Sequence, residues 1–368
     1  MMNNNNIKLI IAGGGTGGHI FPAIAIANAV KNRQALSDIL FVGAKGKMEM
    51  EKVPAAGYKI IGLDIAGFNR SHLLKNIFLP FKVMKSFLQA KKVLQDFKPN
   101  VVVGVGGYAS FPMVYMAQRN GIPTLLQEQN SFAGKSNKIL GKKANAICVA
   151  YDGMERFFAK EKIVNTGNPV RKNITENHIS KEQALDFFQL KSNQKIVFVF
   201  GGSLGAKSIN EAIEAQVKTI LESGAQLIWQ TGEAFVERAK NAIKGYEHVA
   251  KVFPFIREMD YAYVAADIIV ARAGASSIAE LCIVAKPVIF VPFPFASEDH
   301  QMHNAMSLAK HHAAIVVKDS DAKAELVSKI ISLLHDEKAR ELMIQHIKPL
   351  AIKDADQNIA NKIFEIAN

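Results

Sequence analysis

The sequence has only two cysteines, Cys148 and Cys282, among its 368 residues. Both lie in apolar runs without a partner at disulfide or metal spacing, which predicts buried free thiols in a reducing compartment. No secretory signal is expected, because residues 1–6 contain no basic residue and the apolar run that follows them ends at Gly13. No uninterrupted apolar stretch is long enough to cross a bilayer. We therefore expect a protein made and kept in the cytoplasm.

Acidic residues are few as well, with 33 Asp and Glu against 45 Lys and Arg, so the formal net charge is +12. This excess predicts an anionic partner, which would be a nucleic acid, a phospholipid surface or a phosphorylated substrate. A basic nucleic-acid-binding protein is the weakest of these interpretations, because the basic residues cluster with large apolar ones and not along a groove-reading helix. We predict that the protein binds no nucleic acid.

The basic cluster lies between Arg70 and Lys98, where Asp96 is the single acid. Bulky apolar residues are interleaved with the bases, a pattern typical of contact with an anionic membrane. An ordinary helix with its apolar face in the core is the alternative. Pro80 favours the membrane, because it predicts a helix break and a short apolar loop at 77–81. The predicted membrane contacts are Ile77, Phe78, Phe81, Lys82 and Lys85.

A glycine-rich turn follows the first predicted strand. The strand at 8–12 runs into Gly13-Gly14-Gly15-Thr16-Gly17-Gly18-His19, and an apolar helix at 20–30 follows. With almost no side chains in this turn, a ligand phosphate or sugar can reach the N–H groups at the helix N-terminus. The helix dipole favours a neutral His19, which makes this residue a candidate general base.

The second half of the chain repeats this pattern. A predicted strand at 195–200 enters a glycine turn at 201–205 and then a helix at 206–221. Two further strand–turn–helix units, at 101–107 and 268–277, also match each other. The chain length and 49% hydrophobic content suit two domains, and the alternation of strands and helices predicts parallel sheets covered on both faces.

The glycine motif alone does not identify the class of ligand. Gly13, Gly15 and Gly18 fit a dinucleotide fingerprint, but the predicted second strand ends in Gly43-Ala44 without the acid that would bind a ribose. A P-loop is excluded because no Gly-Lys-Ser/Thr follows. Two such sheets facing across a cleft suit a nucleotide-sugar donor in one half and an acceptor in the other.

Six motifs, in the same order over nearly the whole chain, resemble the MurG family, the UDP-N-acetylglucosamine:lipid I transferases of bacterial peptidoglycan synthesis. The motifs are Gly14-Gly15-Thr16-Gly17-Gly18-His19, Gly104-x-Gly106-Gly107-Tyr108, Glu128-Gln129-Asn130, Gly167-Asn168-Pro169-Val170-Arg171, Gly201-Gly202-Ser203-x-Gly205-Ala206, and Pro292-Phe293 with Asp299-His300-Gln301 and Asn304-Ala305. One departure is Gln127, where the family usually has His. This leaves His19 as the only family-matched histidine that could serve as the base.

The resemblance implies an α/β protein of the GT-B glycosyltransferase fold, with two Rossmann-like doubly wound domains facing across a cleft. Residues 1–168 would form the acceptor and membrane-associating domain and 169–350 the UDP-sugar domain, with a last helix at 351–368 packing back on the first. The implied partners are UDP-N-acetylglucosamine, undecaprenyl-linked lipid I and an anionic membrane surface. The implied location is peripheral, on the cytoplasmic side of the cell membrane. Another UDP-sugar transferase or an epimerase on this fold is the alternative.

The donor residues carry over from the family. Ser203 and Arg171 would hold the diphosphate, and Glu280 would accept hydrogen bonds from the ribose diol. The remaining implied donor contacts are the Ile256 backbone with the uracil, Ala275, Ser276 and Ser277 in the same pocket, and Gln301 with His300 at the sugar hydroxyls. Structural alternatives are a helix N-cap for Ser203, a linker role for Arg171, and a capping box for Ser277 and Glu280.

On the first half, the family places Thr16, Gly17 and Gly18 near the donor sugar and the acceptor diphosphate, and Asn130 at the sugar. His19 would deprotonate the acceptor 4-hydroxyl in an inverting transfer without a covalent intermediate, unless it only supports the glycine loop.

The sequence predicts no cofactor and no metal. Two Asp-x-Asp pairs, at 319–321 and 354–356, stand in turns before helices, where Asp favours a capping position. The histidines His300, His303, His311 and His312 lack an acidic or cysteine partner at ligand spacing.

Overall fold

The computed structural model describes residues 6–65 and 79–367. The chain divides into two compact units. Unit 1 comprises residues 1–170 together with 354–368, and unit 2 comprises residues 171–353. Each unit is an α/β domain built on one fully parallel sheet.

Within residues 6–65 and 79–367, thirteen strands form the two sheets. Those of unit 1 are β1 (Lys8–Ala12), β2 (Asp38–Ala44), β3 (Lys59–Leu63), β4 (Val101–Gly104), β5 (Thr124–Glu128), β6 (Ala146–Val149) and β7 (Ile163–Asn165). Those of unit 2 are β8 (Ile196–Phe200), β9 (Gln226–Gln230), β10 (Ala250–Phe253), β11 (Ile268–Ala271), β12 (Val288–Phe290) and β13 (Ile315–Val316).

The helices alternate with the strands. Unit 1 contains α1 (Gly17–Arg33), α2 (Glu49–Ala55), α3 (Leu79–Phe97), α4 (Ser110–Arg119), α5 (Lys135–Gly141) and, at the chain end, α15 (Ala355–Ala367). Unit 2 contains α6 (Lys172–Thr175), α7 (Lys181–Phe188), α8 (Lys207–Glu222), α9 (Val236–Ala242), α10 (Met259–Ala265), α11 (Ala275–Val284), α12 (His300–Ala309), α13 (Ala322–His335) and α14 (Glu337–Ile347).

The sheet of unit 1 has the strand order β3-β2-β1-β4-β5-β6-β7. Its central strands β1 and β4 are apolar and almost fully buried, as expected for a parallel sheet covered on both faces. One face packs on α1 and α15, with Ile26, Ile359 and Ile363 in a single core cluster. The strand order reverses between β1 and β4, and this is where ligands of doubly wound folds bind.

The sheet of unit 2 repeats that order as β10-β9-β8-β11-β12-β13. Its core joins β8, β9 and β11 to α8 and α13, with Trp229 fully buried at the centre. Both sheets therefore bring their glycine turns to the carboxyl edge beside the central strand. Cys148 and Cys282 are free and buried, as predicted.

The predicted helix break at Pro80 is wrong. Helix α3 begins at Leu79, so Pro80 lies in the first turn, where a missing N–H costs no intrahelical hydrogen bond. Phe81 is therefore helical, whereas Ile77 and Phe78 lie outside the described residues. Among residues 6–65 and 79–367, no helix is both long and apolar enough to span a bilayer.

Candidate functional site

The glycine turn after β1 packs backbone to backbone against the turn after β4. Gly14 donates a hydrogen bond of 3.2 Å to the Gly106 carbonyl. A Cβ at Gly107, whose φ is +83°, would lie 2.2 Å from the Gly14 carbonyl oxygen. Side chains at these positions would force the turns apart, which explains why both are rich in glycine.

Three N–H groups of this turn are already bonded within unit 1. Gly13 donates to Val42 at 3.0 Å, Gly14 to Gly106, and Gly15 to the carboxylate of Glu49 at 2.8 Å. In the part of the chain that the structure describes, the N–H groups of Thr16, Gly17 and Gly18 have no such partner. These three groups at the start of α1 form a cradle for an anionic or sugar ligand.

His19 lies in the first turn of α1. Its Nδ1 is 3.1 Å from the Thr16 hydroxyl oxygen. The opposite edge of the ring lies against the β4 turn, because a Cβ at Gly106 would be 2.8 Å from Nε2. Thr16 therefore orients the imidazole, and glycine at position 106 leaves room for it.

Asn130 lies in the loop after β5, folded around the buried carboxyl of Glu128. That carboxyl accepts hydrogen bonds from the Asn130 N–H at 3.1 Å, the Gly134 N–H at 3.1 Å and the Asn137 amide at 2.8 Å. Burial raises the pKa of Glu128, and these hydrogen bonds oppose the rise. The hydrogen bonds to Glu128 therefore fix the conformation of the loop that contains Asn130.

Gln127, the departure from the family pattern, belongs to a buried amide network. Its amide donates to Asn168 at 2.9 Å, and its oxygen accepts from Gln129. Asn168 in turn donates to the Gln129 carbonyl at 2.9 Å, and Gln129 also donates to Val105 at 2.8 Å. The network ties the β5 exit to the turn after β4, so Gln127 acts here as a structural residue.

In unit 2 the glycine turn after β8 packs on the exit of β9 in the same manner. A Cβ at Gly205, with φ +79°, would lie 1.8 Å from the Thr231 carbonyl oxygen. Ser203 is exposed at the tip of this turn. The N-cap interpretation of Ser203 is wrong, because α8 begins at Lys207 and its N-cap is Ala206.

Gln230, at the end of β9, joins two of the predicted donor residues. Its amide donates to the Gly202 carbonyl at 3.0 Å, and its oxygen accepts from the Ile256 N–H at 2.9 Å. The Ser203 turn and Ile256 are thereby held side by side. Because the Ile256 N–H already donates to Gln230, the predicted contact with the uracil would be made by the Ile256 carbonyl. Sequence reasoning missed Gln230 because a buried amide at a strand end carries no motif.

Arg171 and Glu280 form a bidentate ion pair, with Nε–Oε1 at 2.8 Å and Nη2–Oε2 at 3.0 Å. The buried Tyr263 hydroxyl also donates to Oε2, at 2.8 Å. Burial raises the pKa of Tyr263 well above its usual range, and Glu280 adds to the rise, so the phenol remains a neutral donor. Arg171 is therefore more than a linker.

The capping box predicted as an alternative for Ser277 and Glu280 is not formed. Helix α11 begins at Ala275 with Gly274 as its N-cap, and no side chain caps it. Ala275, Ser276 and Ser277 are instead the first helical turn, which is half-buried at the carboxyl edge. The Glu280 carboxyl consequently accepts hydrogen bonds from Arg171 and Tyr263 and does not cap its own helix.

His300 and Gln301 open α12, after the exit of β12. The Gln301 oxygen accepts from the Phe293 N–H at 3.0 Å, and His300 Nδ1 lies 2.7 Å from the Ser297 carbonyl oxygen. These contacts fold the 293–301 loop back on the start of the helix. No cluster of three or more His, Cys, Asp or Glu side chains suited to a metal occurs among the described residues.

Helix α3 presents an apolar face that the described residues around it leave exposed. Phe81, Met84 and Leu88 are 74%, 63% and 64% exposed, while Leu94 is buried on the opposite side. Lys82 is exposed beside this face, whereas Lys85 pairs with Asp64 at 2.8 Å. The nearby Lys45 and Lys85 ammonium groups lower the pKa of Asp64.

Two family models match the chain in order. The N-terminal domain of glycosyltransferase family 28 matches residues 9–149, and its C-terminal domain matches residues 196–359. Together they cover both glycine turns and the residues at the carboxyl edges of both sheets.

Curated relatives are similar over their whole length. A protein from Phocaeicola vulgatus named UDP-N-acetylglucosamine--N-acetylmuramyl-(pentapeptide) pyrophosphoryl-undecaprenol N-acetylglucosamine transferase is 50% identical, with 99% of this chain and 97% of the relative covered. One of the same name from Cytophaga hutchinsonii is 51% identical, with 98% and 97% covered. The crystal structure of MurG from Acinetobacter baumannii matches with a TM-score of 0.81 at 28% identity, covering 98% of this chain and 100% of that one.

Proposed function

The chain belongs to glycosyltransferase family 28 and, within it, to the MurG family, and from that premise we propose its reaction and the residues that perform it. The enzyme transfers N-acetylglucosamine from UDP-N-acetylglucosamine to lipid I and so forms lipid II for peptidoglycan synthesis. The observation that carries this conclusion is 50% identity over 99% of the chain to a relative with that name. The same family membership confirms the predicted GT-B fold.

We assign the donor to unit 2. The turn at Ser203 supplies N–H groups for the diphosphate, and Gln230 holds Ile256, whose backbone would contact the uracil, beside this turn. Arg171 and Glu280 offer a guanidinium for a phosphate and a carboxylate for the ribose diol. Charge develops on the leaving UDP during transfer, so fixed N–H donors and a cation stabilise the transition state.

We assign the acceptor to unit 1. The N–H groups of Thr16, Gly17 and Gly18 suit a diphosphate, and Asn130 lies on the loop after β5 at the same sheet edge. The Thr16 hydroxyl lies at hydrogen-bond distance from His19 Nδ1. In the tautomer whose Nδ1–H donates to this hydroxyl, Nε2 carries the lone pair that accepts the proton of the acceptor 4-hydroxyl. The hydroxyl oxygen then attacks the anomeric carbon, and UDP leaves with the electrons of the broken bond.

The decisive experiment measures transfer of labelled N-acetylglucosamine from UDP to a lipid I analogue by the wild type and by His19→Ala. We expect turnover by the wild type and at least a hundredfold loss in the variant, since general-base catalysis contributes about 10²–10⁴-fold. UDP affinity should be unchanged, because its site is assigned to unit 2. Donor binding without transfer would refute the acceptor assignment, and equal turnover by His19→Ala would reduce His19 to a support of the glycine turn.

We further propose that the enzyme acts at the cytoplasmic face of the cell membrane, where its undecaprenyl-linked acceptor resides. The support is the uncovered face of α3, defined by Phe81, Met84 and Leu88, with Lys82 beside it. Apolar side chains bordered by lysines match the interface of an anionic bilayer. The net charge of +12 adds a general attraction to that surface.

A further inference from the structure

Glu49, the first residue of α2, is a buried carboxylate at the base of the glycine turn. Only 1% of its surface is exposed. Its Oε2 accepts from the Gly15 N–H at 2.8 Å, and its Oε1 accepts from the Ala44 N–H at 3.0 Å. Within residues 6–65 and 79–367, no Lys, Arg or His forms an ion pair with it. Its charge is satisfied by backbone N–H groups of two different turns.

The surrounding backbone is shaped to admit this side chain. A Cβ at Gly14 would lie 2.3 Å from the carboxyl carbon of Glu49, and a Cβ at Gly43 would lie 2.5 Å from its Cγ. Both positions are glycine, so the backbones of the β1 and β2 exits close around the carboxylate. The site is therefore built for a carboxylate and is not a chance surface contact.

We propose that Glu49 is a positioning residue for the transfer reaction, which fixes the glycine turn through Gly15 and thereby sets Thr16 and His19. The inference rests on the proposed function, because it assumes that the turn binds the acceptor. By occupying the Gly15 N–H, Glu49 confines ligand contacts to the next three N–H groups. It touches no reacting atom itself.

The chemistry of substitution at this position is specific. A carboxylate accepts at both oxygens, but the amide of Glu49→Gln accepts at one and turns its NH₂ toward the other N–H. One turn, at Gly15 or at Ala44, then loses its partner. An unsatisfied buried donor pays a desolvation penalty, which is enough to release the turn without unfolding the unit. Glu49→Asp keeps the charge, but its side chain is one methylene too short to reach both N–H groups.

The test compares Glu49→Gln and Glu49→Asp with Glu51→Gln. Glu51 lies on the same helix, and its side chain is 77% exposed and pairs with Lys52. We expect both Glu49 variants to lose about 10- to 100-fold in kcat with a lipid I analogue, since a 1 Å misplacement can cost about 10²-fold. UDP affinity should stay within about twofold, since UDP binding is assigned to unit 2. Glu51→Gln should match the wild type in both.

A second readout does not depend on activity. Hydrogen exchange of the peptide containing residues 13–19 should be faster in Glu49→Gln than in the wild type, and unchanged in Glu51→Gln. Wild-type kcat in a folded Glu49→Gln enzyme would overturn the proposal, as would unaltered exchange in that peptide. If the wild type binds UDP but transfers nothing, the proposed function has failed, and the exchange experiment still decides whether Glu49 holds the turn.

Discussion

Single buried polar side chains position the candidate site more than its exposed residues do. Gln230 and Tyr263 are almost completely buried, and each forms a hydrogen bond with a different element, Gln230 with the Ser203 turn and Tyr263 with Glu280 on α11. A buried polar group is costly unless it is bonded, so each of them fixes its partner in one place. The site therefore depends on residues that would not touch a ligand.

The hydroxyl of Tyr263 should matter for donor binding. Tyr263→Phe removes one donor to Glu280 and leaves the Arg171 pair in place. A hydrogen bond to a charged group contributes about 1.5–3 kcal/mol, so we expect the KM for UDP-N-acetylglucosamine to rise about tenfold with a smaller change in kcat. Steady-state kinetics and calorimetry with UDP measure this. Tyr261→Phe, two residues earlier on α10, is the control, and an unchanged donor KM would show that Arg171 alone orients Glu280.

The two thiols should be inert in the folded enzyme. Burial raises the pKa of Cys148 and of Cys282 to about 12. At pH 8 the thiolate fraction is then about one in ten thousand, and thiol reagents require the thiolate. We expect no labelling by a disulfide reagent at pH 8 in the native protein and two thiols labelled in urea. Rapid native labelling would contradict the buried positions.

The same shift has a consequence for stability. Ionisation is suppressed in the folded state, so the unfolded chain releases protons first as the pH rises above its ordinary thiol value of 9.0. The contribution of the thiols to stability is therefore intact below that pH and is lost progressively above it. Replacing both cysteines with Ala should flatten the fall of the unfolding midpoint between about pH 9 and 11, measured by urea titration.

At the scale of elements, the sequence predicts strands and turns better than helix ends. Strand β1 has the predicted bounds, because an apolar run stopped by glycine is unambiguous. Helix α1 starts at Gly17, three residues before the predicted start, since the turn glycines are already helical. The capping box at Ser277 and the helix break at Pro80 were both predicted from a local sequence pattern, and both are wrong. Helix α11 starts at Ala275, shortly after the end of β11, and Pro80 is accommodated in the first turn of α3.

Helix α3 provides the element-scale prediction. Replacing Phe81, Met84 and Leu88 by Ser should weaken binding to vesicles containing anionic lipid about tenfold or more, because their apolar area no longer enters the interface. Vesicle sedimentation measures this, and transfer to a water-soluble acceptor should be unchanged. Leu36→Ser is a matched control, since Leu36 is also 74% exposed and lies in the turn after α1. Equal binding by the triple variant and the control would exclude α3 as the membrane face.

At the scale of the molecule, the internal repeat allowed the architecture to be predicted, and the six strands of unit 2 follow the order of the first six strands of unit 1, which has β7 in addition. The candidate site residues could be predicted from the motifs, because the motifs mark the carboxyl ends of strands. The hydrogen-bond partners of these residues could not be predicted. Arg171 and Glu280 are 109 residues apart, and Gly15 and Glu49 are 34 apart. Contacts at such separations form only when the sheet has folded, so they cannot be predicted from the local pattern of a single sequence.

Helix α15, at the end of the chain, belongs to unit 1, so the stability of unit 1 depends on this helix. Ile359 and Ile363 of α15 are fully buried in the core cluster that contains α1 and β1. Ile363→Ala should cost about 2–5 kcal/mol, as for other large-to-small core substitutions. Glu365→Ala, two residues later on the exposed side, removes only a surface ion pair with Lys362 and should cost less than about 1 kcal/mol.

Calorimetry with and without UDP assigns the loss to one unit. A ligand stabilises only the unit that binds it, so UDP should raise the transition of unit 2. In Ile363→Ala we expect the UDP-insensitive transition to fall and the UDP-sensitive one to keep its midpoint. This pattern follows because α15 shares its core with unit 1 alone. A fall confined to the UDP-sensitive transition would mean that UDP binds the unit that α15 completes, and the assignment of the donor to unit 2 would have to be reversed.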